Sequence, residues 1–91
     1  MRDLGIVIVN WNTRDLLRTC LHTVYASREV TFDLVVVDNA STDDSAAMVA
    51  AEFPQVRLIA NRENVGYPRG NNQGLEALGY RGAGDVDADA P

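Results

Sequence analysis

Three short runs of branched apolar residues, separated by longer polar and helical stretches, divide the chain. LGIVIVN (4–10) is the first, continuous rather than alternating, which is the pattern of a strand covered on both faces in a parallel sheet. Behind it, Leu16, Leu17, Cys20, Leu21, Val24 and Tyr25 recur at helical spacing. They predict a helix running to Ala26, capped by Asn12 or Thr13, with Asp15 at its positive end. FDLVVVD (32–38) predicts a second buried strand. ASTDDSAAMVAAEF then predicts a helix opened by Ser41 or Thr42 as N-cap, with Asp43 and Asp44 in its first turn, and stopped at Pro54. VRLIA (56–60) predicts a third strand, with Arg57 turned to solvent. NRENVGYPRGNNQG (61–74) has the composition of a polar, glycine-rich loop. A last helix is expected from Asn71 or Asn72, burying Leu75 and Leu78 and ending around Gly79. The remainder, RGAGDVDADAP, has the composition of a flexible acidic tail or connector. The predicted units are therefore a βαβαβα half-domain over 1–80 and a tail over 81–91.

Strand, helix, strand, helix, strand, helix is the opening half of an α/β, three-layer, Rossmann-like parallel sheet. Ligands of such sheets bind at the carboxyl ends of the strands. That places the interest at Asn10–Asn12, at Asp38–Asp43 and at Asn61–Gly74, the three polar clusters, on one rim.

Composition narrows the class without changing this picture. The net charge of −5 argues against a nucleic-acid or membrane-surface protein, both of which favour basic patches. Three of the 13 acids fall in the last seven residues, so the rest of the chain is nearly balanced. The longest uninterrupted apolar runs, IVIV and LVVV, are far too short to span a bilayer, and Asp3 spoils any leader-like start, so a cytoplasmic location is expected. A single cysteine excludes an intrachain disulfide framework. Cys20, within an apolar helical stripe, is expected to be a buried structural thiol, and His22 a partly exposed structural histidine.

Few residues here suit chemistry. Asp38, ending a buried strand at the rim, can accept hydrogen bonds from ligand N–H or O–H groups; equally, it can satisfy backbone N–H groups of the turn that follows. Gly66, Gly70 and Gly74, spaced by four, would let backbone approach a ligand, and Arg69 is the only base between them. The loop is neither a Walker A sequence nor the GxGxxG dinucleotide fingerprint. Asp85, Asp87 and Asp89 lack a rigid frame and are expected to be linker rather than metal ligands.

VIVNWN, VVVDNASTDDS and NRENVGYPRGNNQGL, in this order at the three strand ends, resemble the N-terminal half of family 2 glycosyltransferases, most closely a rhamnosyltransferase-like branch. The resemblance covers roughly residues 4–80. It implies a GT-A fold that transfers a sugar from a UDP- or dTDP-sugar donor to a glycan or lipid-linked acceptor, with Mg2+ or Mn2+ in the parent enzyme. Carried over by position, Val9, Asn10 and Asn12 would line the base pocket, and Asp38, with Asn39 beside it, would bond the pyrimidine. Asn64, Gly66, Asn72 and Gly74 would match the loop that closes over the nucleotide. Relatives commonly carry Arg before the second Asn; that position is Asn71 here, and Arg69 is the nearest guanidinium.

The family's acidic metal motif follows a fourth hydrophobic strand, and nothing hydrophobic follows Gly79. The chain is accordingly expected to be an N-terminal fragment, with no catalytic or metal-binding residue of its own, binding no metal and inactive alone, its parent peripheral to the inner face of a membrane. The resemblance also implies that the fourth strand flanks the first. Its absence predicts an exposed edge at Ile6–Val9, covered by a two-fold homodimer. Two other classes compete: a noncatalytic α/β interaction module, and a receiver-like signalling domain. The latter needs acids where this chain has Asn10 and Asn12.

Overall fold

The computed structural model describes residues 4–27 and 31–79, and it confirms the α/β alternation. The elements run β1 (Leu4–Asn10), α1 (Arg14–Ala26), β2 (Phe32–Asn39), α2 (Ser45–Glu52), β3 (Arg57–Asn61) and α3 (Tyr67–Ala77). All pairing is parallel, in the order β1-β2-β3, so β2 is the central strand. Its residues from Leu34 to Asn39 are buried, as a strand flanked by neighbours and covered on both faces must be. β1 lies at the edge, and its Ile6–Val9 are only half-buried.

The sheet separates two helical layers. On one face α1 and α2 build the main core: Leu17 and Leu21 meet Leu34 and Val36, with Met48, Val49, Phe53 and Val56, while Ile6 and Ile8 pack against the cluster. On the other face α3 lies over β1 and β2. Its approach is close because glycines face the strand. A Cβ on Gly70 would stand 3.0 Å from Val9 Cγ1, and a Cβ on Gly5 would stand 3.0 Å from Leu78 Cδ1.

Three sequence expectations are corrected and a fourth is extended. First, α3 begins at Tyr67, with Pro68 in its first turn, so Gly70, Asn72 and Gly74 belong to the helix and not to a loop. Its buried residues are Gly70, Asn72 and Gly74, whereas Leu75 and Leu78 are half-buried. Second, Cys20 is exposed, as is Leu16. The buried stripe of α1 runs through Leu17 and Leu21, and residues 16 and 20 lie about 100° round the helix from it. Third, neither Asn12 nor Thr13 caps α1 with its side chain, and α2 starts after Asp44, which leaves Ser41 and Thr42 outside it. Fourth, Arg57 is exposed as expected, but its guanidinium donates to the carbonyl of Ala77 and ties β3 to the end of α3. His22 is exposed, edge-on to Phe53 with centroids 4.9 Å apart. The acidic triplet and the tail lie outside the described residues. Among the described residues no helix is long and apolar enough to cross a membrane.

Candidate functional site

The strands end in polar residues that pair sideways, and the register dictates which pairs form. Asn10 stands opposite Asp38, and Asn39 opposite Asn61. Successive residues of a strand point to opposite faces, so these two pairs serve different sides of the sheet.

On the α1–α2 side, Asp38 is only 3% exposed and its carboxylate is the hub. Oδ1 accepts from Asn10 Nδ2 at 2.9 Å and from Ser41 Oγ at 2.7 Å, and Oδ2 accepts from the Ser41 amide at 3.1 Å. Ser41 Oγ in turn accepts the Asn12 amide at 2.8 Å, and Asn12 Oδ1 accepts the Thr42 amide at 2.7 Å. Thr13 Oγ1 donates to Asn10 Oδ1. The turns after β1 and β2 are thereby locked together. The lock is firm enough to hold strained backbone: Asn12 and Ala40 have φ of 53° and 62°, the left-handed region, unfavourable for a residue with a Cβ.

Beside this node one carboxylate caps two helices. Asp43 Oδ2 accepts the Arg14 amide at 2.9 Å, at the start of α1, while Oδ1 accepts the Ser45 amide at 3.1 Å and its hydroxyl, at the start of α2. Those bonds, led by the Ser45 hydroxyl and working against desolvation, hold the Asp43 carboxyl below its ordinary range. A cleft of about 450 Å3 opens between Asn12, the first turn of α1 and Asp43–Asp44. Of the residues proposed from sequence, only Asn12 lines it.

On the α3 side, Asn39 is 2% exposed; its Nδ2 donates to the Gly66 carbonyl at 3.2 Å and its Oδ1 accepts from Asn61 Nδ2 at 2.9 Å. Gly66, with φ 89° and ψ 164°, occupies backbone space open in practice only to glycine. Its amide donates to Asn64 Oδ1 at 2.8 Å, an Asx turn that starts α3. No side chain caps α3, no acid lies in its first turn, and Arg69 is exposed there. That helix end therefore keeps its positive character, unlike those served by Asp43. Asn72 is 8% exposed and its Oδ1 is buried with no hydrogen-bond partner.

The rim thus brings Asn10, Asn12 and Asp38 together around Ser41 on the α1–α2 side, and Asn39, Asn64 and Gly66 together on the α3 side. Val9 and Gly74 are packing residues one layer below: Val9 lies under Gly70, and Gly74 over Val7. Sequence reasoning missed Trp11, 56% exposed between Asn10 and Asn12, and Tyr67, 63% exposed at the start of α3. Large aromatics flanking the polar motifs were the signal. It also missed Asn61 and Gln73, for which the matching ends of β2 and β3 were the clue. Among the described residues no group of three or more His, Cys, Asp or Glu side chains is placed to hold a metal ion.

Comparison with known proteins agrees with this architecture. The sequence matches glycosyl transferase family 2 over residues 5–89. It is 35% identical over 88 residues to the succinoglycan biosynthesis protein ExoO of Rhizobium meliloti, covering 96% of this chain and 25% of that one. It is 28% identical over 82 residues to the teichoic acid poly(glycerol phosphate) polymerase of Staphylococcus epidermidis, covering 86% and 11%. The chain thus spans a quarter or less of these relatives' length. In structure it matches a mannosyltransferase from Pyrobaculum calidifontis, solved with GDP-Man and Mn2+, with a TM-score of 0.72 at 24% identity, over 84% of this chain and 24% of that one. The three-stranded parallel sheet and its helices are those of the GT-A fold. By its sequence, the chain belongs to glycosyl transferase family 2.

Proposed function

We propose that this chain is the nucleotide-binding portion of a glycosyltransferase that takes a sugar from a UDP- or dTDP-sugar and delivers it to a glycan or lipid-linked acceptor. The observation that carries the reading is the linkage of all three strand-end turns on one rim: Asn10, Asn12 and Ser41 through Asp38, and Gly66 through Asn39. Such a rim is where α/β sheets of this winding take their ligands. Trp11 offers a stacking surface for a base, while the acid-free start of α3 with Arg69 suits a diphosphate. Asn72 Oδ1 is an acceptor held from water without a partner, a cost that a ligand donor would remove. The Asp38 carboxylate is buried and committed to Asn10 and Ser41, so its part in this reading is to shape the pocket wall.

No step of this reading runs through a metal or a catalytic base within the described residues. The Mg2+ or Mn2+ of the whole enzyme, and its general base, belong to the longer protein in this proposal. The mannosyltransferase that it resembles was solved with Mn2+, which supports a divalent cation there.

Titration of the 15N-labelled chain with UDP, dTDP and GDP tests the proposal. Amides of Asn12, Ser41, Gly66 and Arg69 should shift together and saturate, with UDP or dTDP ahead of GDP. Shifts confined to residues 81–91, or none at millimolar nucleotide, would refute it.

The outer edge of β1 carries no strand among the described residues, and Leu4–Asn10 has none of the lysines, prolines or bulges that blunt an edge. We infer that the isolated chain covers it by pairing with a second copy about a two-fold axis. Light scattering at high concentration should give twice the chain mass, and a monodisperse monomer would refute the pairing.

A further inference from the structure

We propose that the side-chain amides of Gln73, Asn61 and Asn39 form a relay that sets the position of the Gly66 turn, which makes Gln73 a positioning residue for the rim. Gln73 and Asn61 exchange two bonds, Asn61 Nδ2 to Gln73 Oε1 at 2.8 Å and Gln73 Nε2 to Asn61 Oδ1 at 3.0 Å. A reciprocal amide pair fixes the orientation of both groups, since flipping either would set donor against donor. The second hydrogen on Asn61 Nδ2 goes to Asn39 Oδ1 at 2.9 Å, which in turn fixes Asn39 with its Nδ2 toward the Gly66 carbonyl at 3.2 Å. That same carbonyl accepts the Gly70 amide at 3.1 Å, the bond that starts α3.

The relay therefore leaves α3 two turns after its start, crosses the ends of β3 and β2, and returns to the start. Glycines at 70 and 74 let α3 lie close upon Val9 and Val7 of β1. The relay adds directional bonds to that contact. A shift of α3 along its axis or a rotation about it would break the Asn61–Gln73 pair first. A satisfied polar network of this kind specifies one arrangement more than it adds stability. The inference rests on the nucleotide reading only for the identity of what the rim receives; the relay and its effect on Gly66 stand apart from it.

Hydrogen exchange of the full chain, followed amide by amide, tests it. In Gln73→Ala, the Gly66 and Gly70 amides should lose protection by about tenfold or more while those of Val35–Val37 keep theirs. Gln73→Glu adds a signature that simple destabilisation would not give. Its carboxylate can accept from Asn61 Nδ2 but cannot donate to Asn61 Oδ1, so Gly70 should be under-protected at pH 7. Protonation restores the donor, and protection should return toward that of the unmodified chain as the pH falls through the carboxylate range, about 4–6. Unchanged Gly66 and Gly70 in Gln73→Ala would overturn the proposal, as would a loss shared equally by Val35–Val37. Should Gln73→Glu fail to fold, Gln73→Ala alone decides. UDP titration of the same variants separates the two readings. Weaker binding in Gln73→Ala ties the relay to the nucleotide. No binding by the unmodified chain sinks the nucleotide proposal and leaves the exchange result to judge the relay.

Discussion

Gly74 lies directly over Val7: a Cβ added to the glycine would stand 2.3 Å from Val7 Cγ1 and 2.9 Å from Cγ2. No side chain fits there without moving the helix or the strand. Valine is β-branched and stiff at χ1, so it cannot swing aside. Gly74→Ala should therefore destabilise the fold by about 1–3 kcal/mol through overpacking. In thermal unfolding this is a fall of roughly 4–8 °C per kcal/mol for a domain of this size. Placing the same substitution on a Val7→Ala background should recover part of the loss, because the clash is with that one side chain. A Gly74→Ala variant as stable as the parent would show that α3 is looser on the sheet than described.

The Asp38 node gives a second expectation. Asp38→Asn keeps the shape but turns one acceptor into an NH2 facing either the Ser41 amide or the Asn10 and Ser41 donors. A buried donor left facing a donor costs about 1–3 kcal/mol. Chemical denaturation should report that loss in the absence of any ligand, and an unchanged midpoint would remove Asp38 from its structural role.

Asp43 sets a pH dependence. Its folded-state carboxyl lies below the ordinary value, so the chain gains stability from its ionised form above the unfolded pKa and loses it as the pH falls through the folded pKa. The loss therefore belongs below about pH 4. Asp43→Asn should be less stable than the parent at pH 7, and the gap should narrow as the solution is acidified into that range. A gap that stays constant on acidification would contradict the shared cap.

Trp11 separates binding from folding. Its side chain is more than half exposed, so Trp11→Ala should leave unfolding within about 0.5 kcal/mol of the parent. If the ring stacks on a base, the same change should weaken UDP binding by roughly 1–3 kcal/mol. Calorimetry that finds equal affinity would take Trp11 out of the site.

The strands were legible because buried parallel strands leave a local mark: LGIVIVN and FDLVVVD could hardly be anything else, and both fall where they were placed. The first half of α3 was not. Gly70, Asn71, Asn72 and Gly74 are poor helix formers, and the helix exists there because glycine lets it lie close on Val7 and Val9, a tertiary gain that local propensity cannot reveal. Pro68 was the overlooked start signal. The caps were hidden for a similar reason, since the carboxylate that serves Arg14 lies 29 residues away. The rim as a place was readable from polar clusters at strand ends. Its division into an Asn10–Asp38 side and an Asn39–Asn61 side needed the register, which one sequence does not carry.

The side of the sheet chosen by α3 reverses the direction in which the fold grows. With α1 and α2 on one face the sheet extends from β1 towards β3; with α3 on the other face, a right-handed crossover leads back past β2 and delivers any following strand to the outside of β1, parallel to it. A second copy related by a two-fold can present β1 only in the antiparallel sense. The two would compete for one seam, so lengthening the polypeptide past α3 by a compatible strand should dissolve the self-associated form.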